Sequence, residues 1–418
     1  MKEHETIDYA RRRLVELWVQ LSDDHPLVQD LEGELLYKDV KGSVEAALQV
    51  LVEGETFGAE WNKLVLLRAL DTFLAGQEGT ASTGGEVQLG TPVRLQDEQL
   101  YFLYRRPPSL RQPRVEGQMG HLRRWTRHHQ VVPEKLRGYE IVFVRPSRQL
   151  SRELARLRQD RQPLKVAIGR FEDGVSPDWM ARHRPHFRAE TLTAPETRWK
   201  ALSGLLERAR TAGAHVLVLP ELTVSPDLRL RIQGWLAEHA DMHSLLLVLP
   251  GTFHEADPAG QAGEVVNRTE LLDAYGQPVL THTKLLRFGK WESGAEHIRL
   301  GKRIQLLTLP LGLLATPICL DFCEAAPPLP ELWNDLGPAL LLVPAMGDSP
   351  NRSAHAAAAR RLLITRGSVT VLANQPMSPG ASAPGFICDS LERDPTKPDK
   401  ASRSDFEVVA VDLPPGET

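Results

Sequence analysis

Cysteine is scarce: the 418 residues contain three, Cys319, Cys323 and Cys388. So few, and an odd number, exclude a disulfide framework and point to a reducing compartment, so a cytoplasmic protein is expected. No apolar run approaches the ~18 residues of a membrane span. The N-terminal Met1-Lys2-Glu3-His4-Glu5 is polar and lacks a hydrophobic signal region, so neither secretion nor membrane anchoring is expected. Charge of one sign is not in excess, because a net charge of -4 is too small to imply a polyanionic partner by itself. What is present is globular. Hydrophobic residues at 42% and charged residues at 25% leave no case for general disorder, and the length calls for about two to three units.

The first part reads as helices. Leu14, Leu17, Trp18 and Leu21 recur at helical spacing until Asp23-Asp24-His25-Pro26 stops the run. Val44, Leu48 and Leu51 form a second stripe, and Trp61, Leu64, Val65, Arg68, Leu70 and Leu74 a third. Ala75-Gly76 is the expected helix end, and the Gly-, Ser- and Thr-rich text from Gly76 to Gly85 has a linker's composition. Residues 1–80 are therefore expected to form a helical bundle, with no catalytic cluster, that serves as an adaptor for a protein partner.

Residues 81–160 read as a linker and basic region, arginine-rich from Arg105 onward. Tyr101, Tyr104, Trp125 and Tyr139 offer rings that would stack on bases. The arginines are scattered rather than clustered, however, and residues 1–100 are acidic, so nucleic acid is not the expected partner. His121, His128 and His129 have no companion ligands at metal spacing and are expected to be solvent-exposed.

Residues 161–418 change texture to short apolar runs alternating with helical stripes, the pattern of an α/β layer fold. Lys165–Phe171 reads as a strand. Thr193 and Glu196 have capping-box spacing around Pro195, ahead of a helix face made by Trp199, Leu202, Leu205, Leu206 and Ala209. His215–Pro220 is a buried strand with Glu221 at its tip. A hairpin turns at Tyr275-Gly276-Gln277-Pro278, and Leu313–Ile318 delivers Cys319. A cysteine that ends an apolar strand is suited to be a nucleophile. Its thiol, with an ordinary pKa of about 8.5, then needs a base and a cationic neighbour.

Glu221 after Val216-Leu217-Val218-Leu219-Pro220, Lys284 in Thr281-His282-Thr283-Lys284-Leu285, and Cys319 in Pro317-Ile318-Cys319-Leu320-Asp321 form three ordered boxes. Together they resemble the nitrilase, or carbon-nitrogen hydrolase, superfamily over about Leu164–Leu413. Gly251-Thr252, Pro344-Ala345, and Ala359-Arg360-Arg361 through Val371–Asn374 are further matches. The resemblance implies a four-layer α-β-β-α sandwich, here with an added N-terminal helical region. It also implies a cysteine-dependent amidohydrolase that cleaves a non-peptide C–N bond of a small amide, carbamoyl amine or nitrile through a thioester. No metal or organic cofactor is implied, and a homodimer is. In that scheme Cys319 attacks, Glu221 is the general base and acid, and Lys284 with the Leu320 backbone N–H stabilises the oxyanion. Asp321 is grouped with Leu320 beside the nucleophile, among the oxyanion and substrate contacts. The family often has a second glutamate after the lysine. Glu292 and Glu296 are the candidates, and Glu292-Ser293 with Gly301 downstream fits its pattern better. Cys323 stands where many relatives carry arginine, which separates the reaction type from the identity of the substrate. The competing reading is a non-hydrolytic ligand sensor or recruiting module acting through the N-terminal region.

Overall fold

A computed structural model describes residues 3–22, 25–35, 38–53, 57, 61–79, 90–95, 99–106, 122, 125–171, 177–180, 186–257, 260–289, 294–326, 328–377, 385–393, 395 and 405–413. The chain divides into two units, Met1–Pro107 with Arg114–Leu136, and Arg137–Thr418 with Pro108–Pro113. One division falls between Leu136 and Arg137, whereas the composition changes near residues 80 and 160.

The first unit contains helices α1 (Glu3–Ser22), α2 (His25–Leu35), α3 (Val40–Val52) and α4 (Lys63–Gly79). These are followed by strands β1 (Thr91–Arg94), β2 (Leu100–Arg105) and β3 (His129–Pro133), with the short β4 (Lys135–Leu136) after them. The helical stripes pack as their spacing predicts, with Leu14, Leu17, Leu21, Leu51, Leu64 and Leu70 in one core. That core also takes Val93, Tyr101, Leu103, Trp125 and Val131 from the antiparallel sheet β1-β2-β3 and its approach, so the unit is α+β rather than purely helical. α4 runs through Ala75-Gly76 to Gly79, and the rest of the expected linker, residues 80–89, lies outside the described residues. Tyr101, Tyr104 and Trp125 are buried, which removes them as stacking platforms for bases. Trp125 instead donates its indole N–H to Glu32 Oε1 at 2.8 Å.

His129 is buried, contrary to the expectation of exposure, and the reason is Asp71 on α4. The Asp71 carboxylate accepts the backbone N–H groups of Arg127, His128 and His129 at 2.7, 2.9 and 2.9 Å, and meets His129 Nδ1 at 3.0 Å. Burial alone would raise its pKa, but the His129 bond and charge outweigh burial and hold it below the ordinary value. His121 lies outside the described residues, and among the described residues no cluster of His, Cys, Asp or Glu could hold a metal.

The second unit begins with β5 (Tyr139–Val144) and α5 (Arg148–Gln159), which the basic-region reading had assigned elsewhere. There follow β6 (Leu164–Gly169), β7 (Pro177–Met180), β8 (His186–Leu192), α6 (Pro195–Thr211), β9 (Val216–Val218), α7 (Pro226–Glu238), β10 (Leu247–Leu249), β11 (Phe253–Ala256), β12 (Val265–Asp273) and β13 (Pro278–Thr283). The remainder is β14 (Ala295–Glu296), β15 (Arg303–Leu309), β16 (Gly312–Ala315), α8 (Leu320–Cys323), α9 (Leu329–Leu336), β17 (Leu340–Met346), α10 (Ser349–Arg366), β18 (Val369–Gln375), β19 (Phe386–Cys388) and β20 (Phe406–Val411). One sheet runs β11-β12-β10-β9-β6-β20 with β13 on β12, and the other contains β19-β18-β17-β16-β15-β5.

Alternation along the strands builds the layers. Val216 and Val218 of β9 face inward with Val166, Leu247 and Leu249, and the same cluster contains Leu314, Leu340, Leu342, Val369 and Val371 of the other sheet. Leu217 between them faces outward, onto Leu202 and Leu206 of α6 and Leu228 and Ile232 of α7. On the far side α10 packs against β18 and against α8 and α9. The order is the expected α-β-β-α. At the start of α6 the N-cap position is taken by Ala194, one residue after the expected Thr193, with Pro195 in the first turn.

Candidate active site

The apolar strands β9, β16 and β17 end at one place, and main-chain hydrogen bonds tie their tips together. Cys319 N–H donates to Pro344 O at 3.0 Å and Glu221 N–H to Ala345 O at 3.3 Å, so the end of β17 receives a residue from each sheet. Two glycines allow the approach. At Gly251, with φ of 78°, a Cβ would lie 2.1 Å from Pro220 O, and at Gly301 it would lie 2.3 Å from Thr283 O, beside Lys284. Cys319 itself has φ of 46° and ψ of -108°, a sparsely populated backbone geometry for a non-glycine residue, where the chain turns from β16 into α8.

The structure brings together Glu221, Lys284 and Cys319, all about 2% exposed. Lys284 Nζ donates to Glu221 Oε1 at 2.8 Å and to Glu296 Oε2 at 2.7 Å. Glu292 lies outside the described residues, and it is Glu296, the alternative in the sequence, that the structure places at the lysine. The reason is strand pairing. β14 runs parallel to β8, with Glu296 opposite Phe187, and this delivers the Glu296 side chain to the site.

Two residues that sequence reasoning missed complete the cluster. Asn267 Nδ2 bridges both carboxylates, at 3.0 Å to Glu221 Oε1 and 2.9 Å to Glu296 Oε1. His254 Nε2 meets Glu296 Oε1 at 2.8 Å, and Phe288 N–H donates to Glu296 Oε2 at 3.1 Å. The sequence offered little signal, because a charged residue follows each of them, Glu255 in β11 and Arg268 in β12.

Asp321 takes a different part from the substrate-side one grouped with Leu320. Its carboxylate accepts the N–H groups of Leu285 and Leu286 at 2.9 Å each and of Ile318 at 3.3 Å, and meets His282 Nε2 at 3.0 Å. It is fully buried. Engaged on both oxygens, it staples the segment after Lys284 to the turn before Cys319. Leu320, the first residue of α8, has its backbone N–H directly after the nucleophile. Cys323 is buried one turn on, with the His355 ring beside it.

No family model matches the chain, and no curated protein matches it. Solved structures are similar. An amidase from Nesterenkonia sp. AN1 is 16% identical, with 60% of this chain and 93% of that chain covered at a TM-score of 0.42. Nit3 of Saccharomyces cerevisiae, a member of branch 10 of the nitrilase superfamily, is 17% identical over 60% and 91% of the two chains at 0.43. The C. elegans NitFhit protein is 18% identical over 59% and 60% at 0.40.

Electrostatics divide the labour in the cluster. Burial opposes a charge on Lys284, but Glu221 and Glu296 outweigh it and raise the lysine well above its ordinary value, so it is a fixed cation and not a proton acceptor. Burial likewise works against Glu296, yet Lys284 and His254 hold it far below the carboxylate range. Burial and then the Glu221 charge push the Cys319 thiol well up, while Lys284 pulls it down. Burial thus favours the neutral form of the thiol, and Lys284 opposes it. A cleft reaches these groups between Phe187, Phe288, Met346 and Met377.

Proposed function

We propose that the second unit is a cysteine-dependent carbon-nitrogen hydrolase acting on a small amide or carbamoyl amine. The observation that carries this reading is that Glu221, Lys284 and Cys319 all stand at strand ends and line one cleft, with Lys284 bonded to Glu221. Glu221 takes the thiol proton as Sγ attacks the carbonyl carbon. Lys284, with the Leu320 N–H, meets the oxyanion, a contribution of about two to three powers of ten per donor. When the intermediate collapses, the C–N bond breaks, Glu221 gives its proton to the departing amine, and a thioester remains. Water, deprotonated by Glu221, then attacks the thioester, releasing the acid and returning the proton to Cys319. Glu296 Oε2 holds Lys284 Nζ alongside Glu221.

The test incubates wild type and Cys319→Ala with amides, carbamoyl amines and nitriles, following ammonia release and intact protein mass. Turnover or an acyl adduct that vanishes in the variant is expected. A broad panel with neither adduct nor ammonia would overturn the hydrolase and favour the ligand-sensor reading.

A further inference from the structure

His254 is a buried imidazole that the proposed reaction leaves without a task, and both its nitrogens are spoken for. The Ala189 N–H, on β8, donates to Nδ1 at 2.8 Å. That nitrogen must therefore carry the lone pair, and Nε2 the proton that is donated to Glu296 Oε1 at 2.8 Å. Phe187 of the same strand stacks on the ring, with centroids 6.3 Å apart and planes at 25°. Phe187 also lines the cleft, and its strand pairs with the two residues that present Glu296. The hairpin β7-β8 thus touches Glu296 twice, directly through β14 and indirectly through His254.

We propose that His254 is a positioning residue: the hairpin β7-β8 locks its tautomer so that it pins Glu296, and through Glu296 aims Lys284 at the reacting centre. This rests on the hydrolase reading above for its catalytic consequence, but not for its geometry. A buried carboxylate holding one lysine against another carboxylate has two ways to settle. Lys284 is shared as long as Glu296 is satisfied by His254, Asn267 and the Phe288 N–H. If the His254 donor is withdrawn, Glu296 carries more uncompensated charge and draws Lys284 toward itself, away from Cys319. Both changes make the thiolate harder to form.

Two substitutions separate the bonds. An asparagine amide reaches only the Nδ1 position, so His254→Asn keeps a partner for the Ala189 N–H and drops Glu296. A glutamine amide reaches the Nε2 position, so His254→Gln keeps the donor to Glu296. The readouts are the pH midpoint of Cys319 alkylation by iodoacetamide and, on an amide that wild type accepts, kcat and KM separately. His254→Asn is expected to raise the alkylation midpoint and lower kcat about 10- to 100-fold with KM little changed, the loss of a charge-assisted hydrogen bond. His254→Gln is expected to return both toward wild type. An unchanged midpoint in a folded His254→Asn protein, or a glutamine variant as impaired as the asparagine one, would overturn the proposal. If wild type hydrolyses no amide, the hydrolase reading fails and the alkylation arm still decides whether His254 positions the site.

Discussion

Glu221 faces two partners with opposite demands. It accepts a charged hydrogen bond from Lys284 and raises the Cys319 thiol by its own negative charge. The carboxylate that would remove the thiol proton is therefore also what keeps that proton in place until substrate arrives. Neutralising it separates the two effects. In Glu221→Gln the thiol loses a repulsive neighbour and keeps Lys284, so the Cys319 pKa falls. Alkylation by iodoacetamide should become faster at pH 7 to 8 than in wild type, while turnover drops about 10²- to 10⁴-fold for want of a base. A variant whose thiol reacts more slowly than wild type would show that Glu221 activates the resting cysteine rather than restraining it. Glu221 and Cys319 were legible from sequence because each follows an apolar strand, and Lys284, after the polar Thr281-His282-Thr283, because its box resembles the family's. The choice between Glu292 and Glu296 was not, because spacing along a loop carries no information about which residue pairs with β8. His254 and Asn267 were not, because a polar residue beside charged neighbours in the same strand gives no sign of its burial until its partner is known.

Elements show a similar division between what the pattern states and what it omits. The 3.6-residue stripes located α1, α3 and α4 but not α2, and short apolar runs located strands of the second unit, yet the joint between α4 and β3 left no trace in either pattern. Asp71 makes that joint by accepting three backbone N–H groups and the His129 ring. Asp71→Asn replaces one acceptor oxygen with a donor and leaves buried N–H groups without a partner, so the first unit should lose about 3 kcal/mol. The pH dependence follows from the direction of the shift. A carboxylate lowered in the native state contributes fully above its unfolded value of about 3.9 and loses that contribution as pH falls through the native value. Wild type should therefore lose stability in acid over a window that Asp71→Asn lacks, as urea titrations at pH 3 and pH 7 would show. Equal losses in both proteins would mean that Asp71 is not the titrating group.

At the scale of the whole molecule, each unit has its own hydrophobic core. A second buried charge lets the two be addressed separately. Arg198 on α6 is 1% exposed, and among the described residues none of its three side-chain nitrogens has a hydrogen-bond partner. Burial pushes its pKa down to about 9. The compensation in view is the Phe171 ring, 4.0 Å from the guanidinium carbon. A desolvated cation–π contact returns about 2 kcal/mol, less than the several kcal/mol that burying an ion costs. Arg198→Met keeps most of the volume and removes the charge, so it should stabilise the second unit by about 1–3 kcal/mol. Calorimetry of the full chain should then show two transitions, one lowered only by Asp71→Asn and the other raised only by Arg198→Met. A single transition that both substitutions move would mean that the units share their stability. A fall with Arg198→Met would mean that the guanidinium is held by more than the phenylalanine ring.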